Sequence, residues 1–224
     1  MFNSIIVAID ESDFGSFKNI LDALDNTQCM IMIGSVAFNS IGQDAILYAA
    51  ERGFDIFLDL KFHDIPNTVY KSINSLINLP IKMLTIHTSG GIEMMQSAMK
   101  AVQDTEIKVF GVTALTSLSE EDIYKVFNNN TLDQVNKMLN LAEEAGIDGV
   151  VCSPHELKLV NQNHSLLTIT PGIRVLDSND DQRRVMTPKE AIELGANYIV
   201  IGRAITLSDN IKNSLDDIYS EIYN

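Results

Sequence analysis

Ile56-Phe57-Leu58-Asp59-Leu60-Lys61 starts as a continuous apolar run and turns charged at its C-terminal end. Unbroken apolarity is the pattern of a strand buried on both faces, as in a parallel sheet covered by helices. Seven further runs share this character, so the chain reads as eight strands: Ile5–Ile9, Met30–Ile33, Ile56–Leu60, Met83–Ile86, Lys108–Val112, Gly149–Cys152, Leu167–Thr170 and Tyr198–Ile201. Amphipathic stretches of helical length lie between most of them. Ile41–Arg52 spaces Ile41, Ala45, Ile46, Ala49 and Ala50 at helical intervals and stops at Gly53. Leu132–Ala145 puts Leu132, Val135, Met138, Leu139 and Ala142 on one face before Gly146. Pro188–Leu194 takes Thr187 as its cap, Pro188 in its first turn and Gly195 at its end. The long interval from Val112 to Gly149 has room for an extra short helix around Ser119–Phe127.

Strand and helix alternating through eight units predict a parallel α/β fold, and eight units in 224 residues predict a compact (β/α)8 TIM barrel, one domain over residues 1–224. A doubly wound sheet fits less well, because no Gly-x-Gly-x-x-Gly follows the first strand. No Walker-type phosphate loop is present either.

Apolar residues make up 46% and charged residues 21%, values that exclude a disordered chain. Sixteen Lys and Arg against 30 Asp and Glu give a net charge of −14, which argues against general nucleic-acid or anionic-membrane binding. A negative field repels anionic substrates at long range, so any phosphate site must be built locally from a few basic residues and backbone N–H groups. Cys29 and Cys152 are too few for a disulfide framework and are expected to be buried thiols. Met1–Asp10 lacks the basic start of a signal peptide, and no apolar run approaches the length of a membrane span, so a soluble, cytoplasmic protein is expected.

Active sites of such barrels lie at the C-terminal ends of the strands. Here those ends read Asp10, Gly34, Asp59-Leu60-Lys61, His87-Thr88-Ser89, Thr113, Ser153, Thr170-Pro171-Gly172 and Gly202-Arg203. Alternation along a strand puts Asp59 and Lys61 on the same face, and Asp64 follows in the loop before Pro66. A lysine held between two carboxylates stays protonated, a poor base but a well-placed proton donor. The plainer alternative is a structural ion pair at a strand end. Gly202-Arg203 is a phosphate candidate, since these barrels often hold phosphate after the seventh and eighth strands. Arg174, Gln182 and Arg183, before Thr187, are placed to close over the same anion; solvated loop charges are the alternative. His63, His87, His155 and His164 show no metal-ligand spacing, and Cys152 with His155 reads as structural. The nine methionines suit core filling, and Glu120-Glu121-Asp122 suits a helix start better than a metal site.

Asp59-Leu60-Lys61-Phe62-His63-Asp64-Ile65-Pro66-Asn67-Thr68 resembles the signature of the orotidine 5′-phosphate decarboxylase family in its bacterial form. The resemblance extends in order through Val7–Asp10, His87–Gly91, Val112–Ser117, Asp148–Ser153, Thr170–Arg174, Asp181–Pro188 and Ile199–Arg203, nearly the whole chain. Each string is weak alone; the ordered set is specific. It implies a homodimer of compact barrels and cofactor-free, metal-free conversion of orotidine 5′-monophosphate to UMP and carbon dioxide. Lys61 is then the proton donor to C6, and Asp59 sits beside the substrate carboxylate. Asp64 reaches the neighbouring subunit's site with Ile65 and Thr68 close behind. Asp10 binds the ribose, Thr116 and Ser117 contact the pyrimidine, and Arg174, Gln182, Gly202 and Arg203 hold the phosphate.

One departure stands out. The family carries a lysine on its second strand, and here Met30-Ile31-Met32-Ile33-Gly34 puts Met32 in that place. No lysine lies between Lys18 and Lys61 to replace it. The resemblance therefore implies a weakened enzyme, with Asp59 short of a counter-charge and activity falling earlier on acidification. Two rival readings follow. Magnesium-dependent sugar-phosphate decarboxylases and aldolases share the Asp-x-Lys-x-x-Asp arrangement but use a second-strand glutamate toward the metal, an oxygen that Met32 does not supply. A barrel that binds UMP-like nucleotides without turnover is the other.

Overall fold

The computed structural model describes residues 3–173 and 186–223. Eight parallel strands close into a barrel in sequence order: β1 (Ile5–Ala8), β2 (Met30–Gly34), β3 (Ile56–Phe62), β4 (Met83–His87), β5 (Lys108–Val112), β6 (Gly149–Val151), β7 (Leu167–Thr170) and β8 (Tyr198–Ile201), with β8 pairing back onto β1. Around it lie α1 (Phe14–Asp22), α2 (Ser35–Ile41), α3 (Gln43–Glu51), α4 (Pro66–Asn74), α5 (Ile92–Val102), α6 (Glu120–Phe127), α7 (Thr131–Ala145), α8 (Leu157–Asn163), α9 (Pro188–Glu193), α10 (Arg203–Thr206) and α11 (Ile211–Tyr223). The fold is the (β/α)8 barrel that the eight apolar runs predict, and each strand sits where its run places it.

Alternation along the strands divides the apolar side chains into two cores. Ile5, Val7, Ile31, Ile33, Ile56, Leu58, Leu84 and Ile86 face outward into the layer shared with the helices. Ile6, Met30, Phe57, Met83, Phe110, Ile169 and Tyr198 fill the barrel itself. The interior is thus a packed plug, and the polar residues at the strand ends sit on top of it. Both thiols are buried, and burial pushes the Cys152 thiol up to about 12 and Cys29 higher still. Neither is a thiolate near neutral pH, in keeping with a structural role.

Local signals place the helices. Ser119 caps α6 by accepting from the N–H of Asp122, whose carboxylate in turn accepts the Ser119 N–H, so the acidic run is a helix start. Thr187 and Glu190 form the same box on α9. The helix expected over Ile41–Arg52 is α3, and its start is the correction: Gly42, at φ 79°, separates α3 from Ile41, which ends α2. Ile41 packs against the outer core from the end of α2, so the apolar spacing runs across a break it cannot register. Among the described residues no helix is long and apolar enough to cross a membrane.

Gly149 is required by the plug. It pairs with Phe110 and Leu167, and a Cβ there would lie 2.4 Å from the Leu167 carbonyl oxygen and 2.5 Å from Phe110 Cε1. Gly149→Ala is therefore expected to destabilise the barrel by about 1–3 kcal/mol. A lower urea midpoint with an unchanged slope is the expected reading, and an unchanged midpoint would contradict this packing.

Candidate active site

The charged end of β3 is built by an irregularity in the barrel wall. Leu58 pairs with Leu84 and Phe62 with Ile86, so β3 advances four residues while β4 advances two. The excess is even, and it preserves the alternation. Leu58, Leu60 and Phe62 all remain in the outer core, while Phe57, Asp59 and Lys61 share the inner face. Lys61 takes up the slack at φ 50°, the left-handed region that costs a non-glycine residue roughly 1–2 kcal/mol.

Three hydrogen bonds hold that conformation. The Lys61 N–H donates to Thr85 Oγ1 at 2.8 Å, and the Thr85 hydroxyl donates to Asp59 Oδ1 at 2.8 Å. The Lys61 ammonium donates to Asp59 Oδ2 at 2.5 Å. Asp59 is 7% exposed and Thr85 fully buried, whereas the Lys61 side chain is 40% exposed. The carboxylate is thus sunk in the wall with a donor on each oxygen, and the ammonium stands at its surface.

That surface belongs to a chamber of about 240 Å³ lined by Met32, Phe57, Asp59, Lys61, Val112, Thr116, Val151, Ile169, Pro171 and Val200 among others. The walls are mostly apolar, which strengthens electrostatic interactions inside. Two larger lobes share lining residues with it. One, of about 940 Å³, shares Met32, Pro171 and Val200 and adds Asp10, Gly202 and Arg203. The other, of about 860 Å³, shares Leu115, Thr116 and Pro171. Asp10 and Met32 come together over Gly34, where a Cβ would lie 3.1 Å from Asp10 Oδ1 and 3.6 Å from Met32 Cε.

The expected site residues therefore fall into three groups. Asp10, Met32, Asp59, Lys61, Thr116, Gly202 and Arg203 surround the connected space. Asp64, Ile65, Thr68 and Ser117 line none of these three cavities. Asp64 is exposed, its Oδ1 accepts the Ile65 N–H at 2.7 Å, and Ile65 is 67% exposed. Of the two carboxylates expected to flank Lys61, Asp59 is the one bonded to it. Arg174, Gln182 and Arg183 lie outside the described residues.

His63 and His87 stack at 5.3 Å between ring centroids beside this cluster, and His87 Nδ1 lies 2.7 Å from Ser89 Oγ. Burial first, then the neighbouring His63 and Lys61, hold the His87 imidazole below its ordinary 6.5. His155 is exposed while Cys152 is buried, and His164 pairs with the Glu143 carboxylate at 2.8 Å. Among the described residues no group of three or more His, Cys, Asp or Glu is placed to hold a metal ion. Thr85 escapes a search confined to strand ends, because it lies inside β4. Its signal was present: a lone hydroxyl in an apolar run, on the inward parity of Met83 and His87.

A family model described as "Orotidine 5'-phosphate decarboxylase / HUMPS family" matches residues 3–218. The chain is 40% identical to the orotidine 5′-phosphate decarboxylase of Mannheimia succiniciproducens, with 100% of this chain and 99% of the relative covered. It is also 40% identical to that of Pasteurella multocida, covering 99% and 98%. The crystal structure of orotidine 5′-phosphate decarboxylase from Lactobacillus acidophilus superposes with a TM-score of 0.87 at 35% identity, over 99% of this chain and 100% of that one. An uncharacterized conserved protein from Geobacillus kaustophilus gives 0.85 at 28% identity, over 97% and 99%.

The histidine pair yields a test of the electrostatics around Lys61. His87 binds its proton less readily folded than unfolded, so it contributes stability above pH about 6.5 that is lost as pH falls through its lower folded value. His63→Gln removes one of the three causes. The His87 titration followed by NMR is expected to move upward and yet stay below 6.5, since burial is the largest cause. An unmoved titration would show that the two rings do not interact.

Proposed function

The chain belongs to the orotidine 5′-phosphate decarboxylase / HUMPS family, among its orotidine 5′-phosphate decarboxylases, and from that premise we propose that it removes carbon dioxide from orotidine 5′-monophosphate without a cofactor, Lys61 delivering the proton to C6 of UMP. The observation that carries this reading is the buried Asp59 bonded to the half-exposed Lys61 ammonium at the surface of a small apolar chamber. Departure of carbon dioxide leaves an electron pair on C6, with no electron sink in the ring. A fixed ammonium next to that carbon stabilises the developing charge and then protonates it. Asp59 lies beside the departing carboxylate, and its repulsion toward it falls away as carbon dioxide leaves.

The outer lobe fits the rest of the nucleotide. Asp10 is the ribose ligand, and Gly202 with Arg203 at the start of α10 holds the phosphate, joined by Arg174 and Gln182. Thr116, on the chamber wall, meets the pyrimidine edge, and Ser117, which lines none of the cavities here, joins it only if the loop after β5 moves toward the ring. Phosphate binding is remote from the chemistry, and its energy positions the ring over Lys61. A second copy of the chain completes the site, with its Asp64, Ile65 and Thr68 approaching the first copy's chamber. The outward exposure of Asp64 and Ile65 supports that assignment.

Met32 makes this a weakened site. Asp59 takes its bonds from Lys61 and Thr85, and on the β2 side the chamber offers a thioether where the family carries an ammonium. Loss of one hydrogen bond to a charged group is worth roughly ten- to a hundredfold in rate.

The test is loss of orotidine 5′-monophosphate absorbance with purified protein and no added metal, before and after a chelator. Chelator-resistant turnover is expected, rising about ten- to a hundredfold in Met32→Lys and falling at least about a thousandfold in Lys61→Ala. Saturable UMP binding without turnover would make the chain a nucleotide-binding barrel. Magnesium-dependent turnover of a sugar phosphate in place of orotidine 5′-monophosphate would favour the sugar-phosphate reading.

A further inference from the structure

We infer that Thr85 is a positioning residue for the proton-delivering lysine, setting the conformation of both Lys61 and Asp59 without touching substrate. The inference rests on the roles of Lys61 and Asp59 proposed above. Thr85 sits in the middle of β4, fully buried, with Leu84 and Ile86 on either side turned to the outer core. A hydroxyl buried in a barrel interior needs partners, and both of its capacities are spent on β3. It accepts the Lys61 N–H and donates to Asp59 Oδ1, each at 2.8 Å.

The location explains why a side chain is needed there. Between Leu58 and Phe62 the β3–β4 pairing is out of register, so the backbone ladder is interrupted where Lys61 lies. The Thr85 hydroxyl stands in for a ladder acceptor and pins the left-handed lysine. It also fixes one carboxylate oxygen of Asp59, while the lysine's own ammonium is bonded to the other. One hydroxyl therefore holds the ammonium twice, through its backbone and through its counter-ion. With Met32 opposite, the β2 side supplies no charge to share that task. Thr85 is not among the residues lining the chamber, so its loss should leave ground-state binding alone. A small displacement of a catalytic group costs rate rather than affinity.

Thr85→Val keeps the shape and removes the hydroxyl. It is expected to lower kcat by about ten- to a hundredfold while KM and the affinity for UMP stay at the wild-type level. Thr85→Ser, which retains the hydroxyl, is expected to restore kcat. A UMP analogue carrying an oxyanion at C6, which mimics the developing charge, should bind Thr85→Val more weakly by the factor lost in kcat. A purely structural threonine would instead lower the melting temperature and leave kcat and the analogue-to-UMP affinity ratio unchanged in the folded variant. Unchanged kcat in Thr85→Val, parallel loss of UMP binding, or failure of Thr85→Ser to restore kcat would each overturn the inference. Should the valine variant not fold, Thr85→Cys, with its weak donor, is expected to give a kcat below that of Thr85→Ser at unchanged UMP affinity. A wild-type chain without turnover would overturn the reading of function, and the analogue-to-UMP ratio would still decide the role of Thr85.

Discussion

Strand β3 must do two things in the same seven residues, Ile56–Phe62: keep its outer face in the core and present two opposite charges at the barrel mouth. The even slip against β4 is what reconciles them. An odd slip would have turned Lys61 into the helix layer and Leu60 into the chamber, since a one-residue shift exchanges the two faces of a strand. The slip leaves a left-handed lysine and an interrupted ladder, and the Lys61–Thr85–Asp59 bonds offset that cost. Neighbouring features follow from this arrangement. The chamber lies where Asp59 and Lys61 face it, and His87 is held below its ordinary range partly because Lys61 is charged beside it.

Electrostatics in this chain work at short range. A net charge of −14 opposes the approach of a nucleotide phosphate, so affinity has to arise from groups in contact. Among the described residues, Arg203 at the start of α10 is the basic residue that lines the outer lobe, and Asp10 and Glu11 stand in the same lobe. The inner chamber solves its problem differently. Its apolar walls amplify a single bonded ion pair, and the carboxylate is stabilised by one neutral and one charged donor. Met32 fits the apolar character of those walls and brings no charge to the chamber. The barrel packs around it without difficulty, because a thioether adapts its shape to the gap beside the plug.

Much of the architecture was legible in one dimension. Parallel strands covered by helices are apolar throughout, so each of the eight runs from Ile5 to Ile201 announced a strand with little ambiguity. The acidic run after Ser119, and Thr187 followed by Pro188, announced helix starts, because capping signals are local in sequence. Asp59, Lys61 and Arg203 could be named because strand ends are where such barrels gather polar groups. The break at Gly42 that sets the true start of α3 escaped, since Ile41 satisfies the apolar spacing from the end of α2.

Sequence alone determined the eight-stranded parallel barrel, the caps and the family to which the chain belongs, because each is written in local spacing or in the order of short motifs. Tertiary structure alone decided the slip between β3 and β4, the left-handed lysine, the two bonds of Thr85 and the separation of Asp64 from the chamber. The first three depend on how residues 24 to 26 positions apart meet across a closed sheet. Closure is a condition on the whole barrel at once, and no window of the chain contains it.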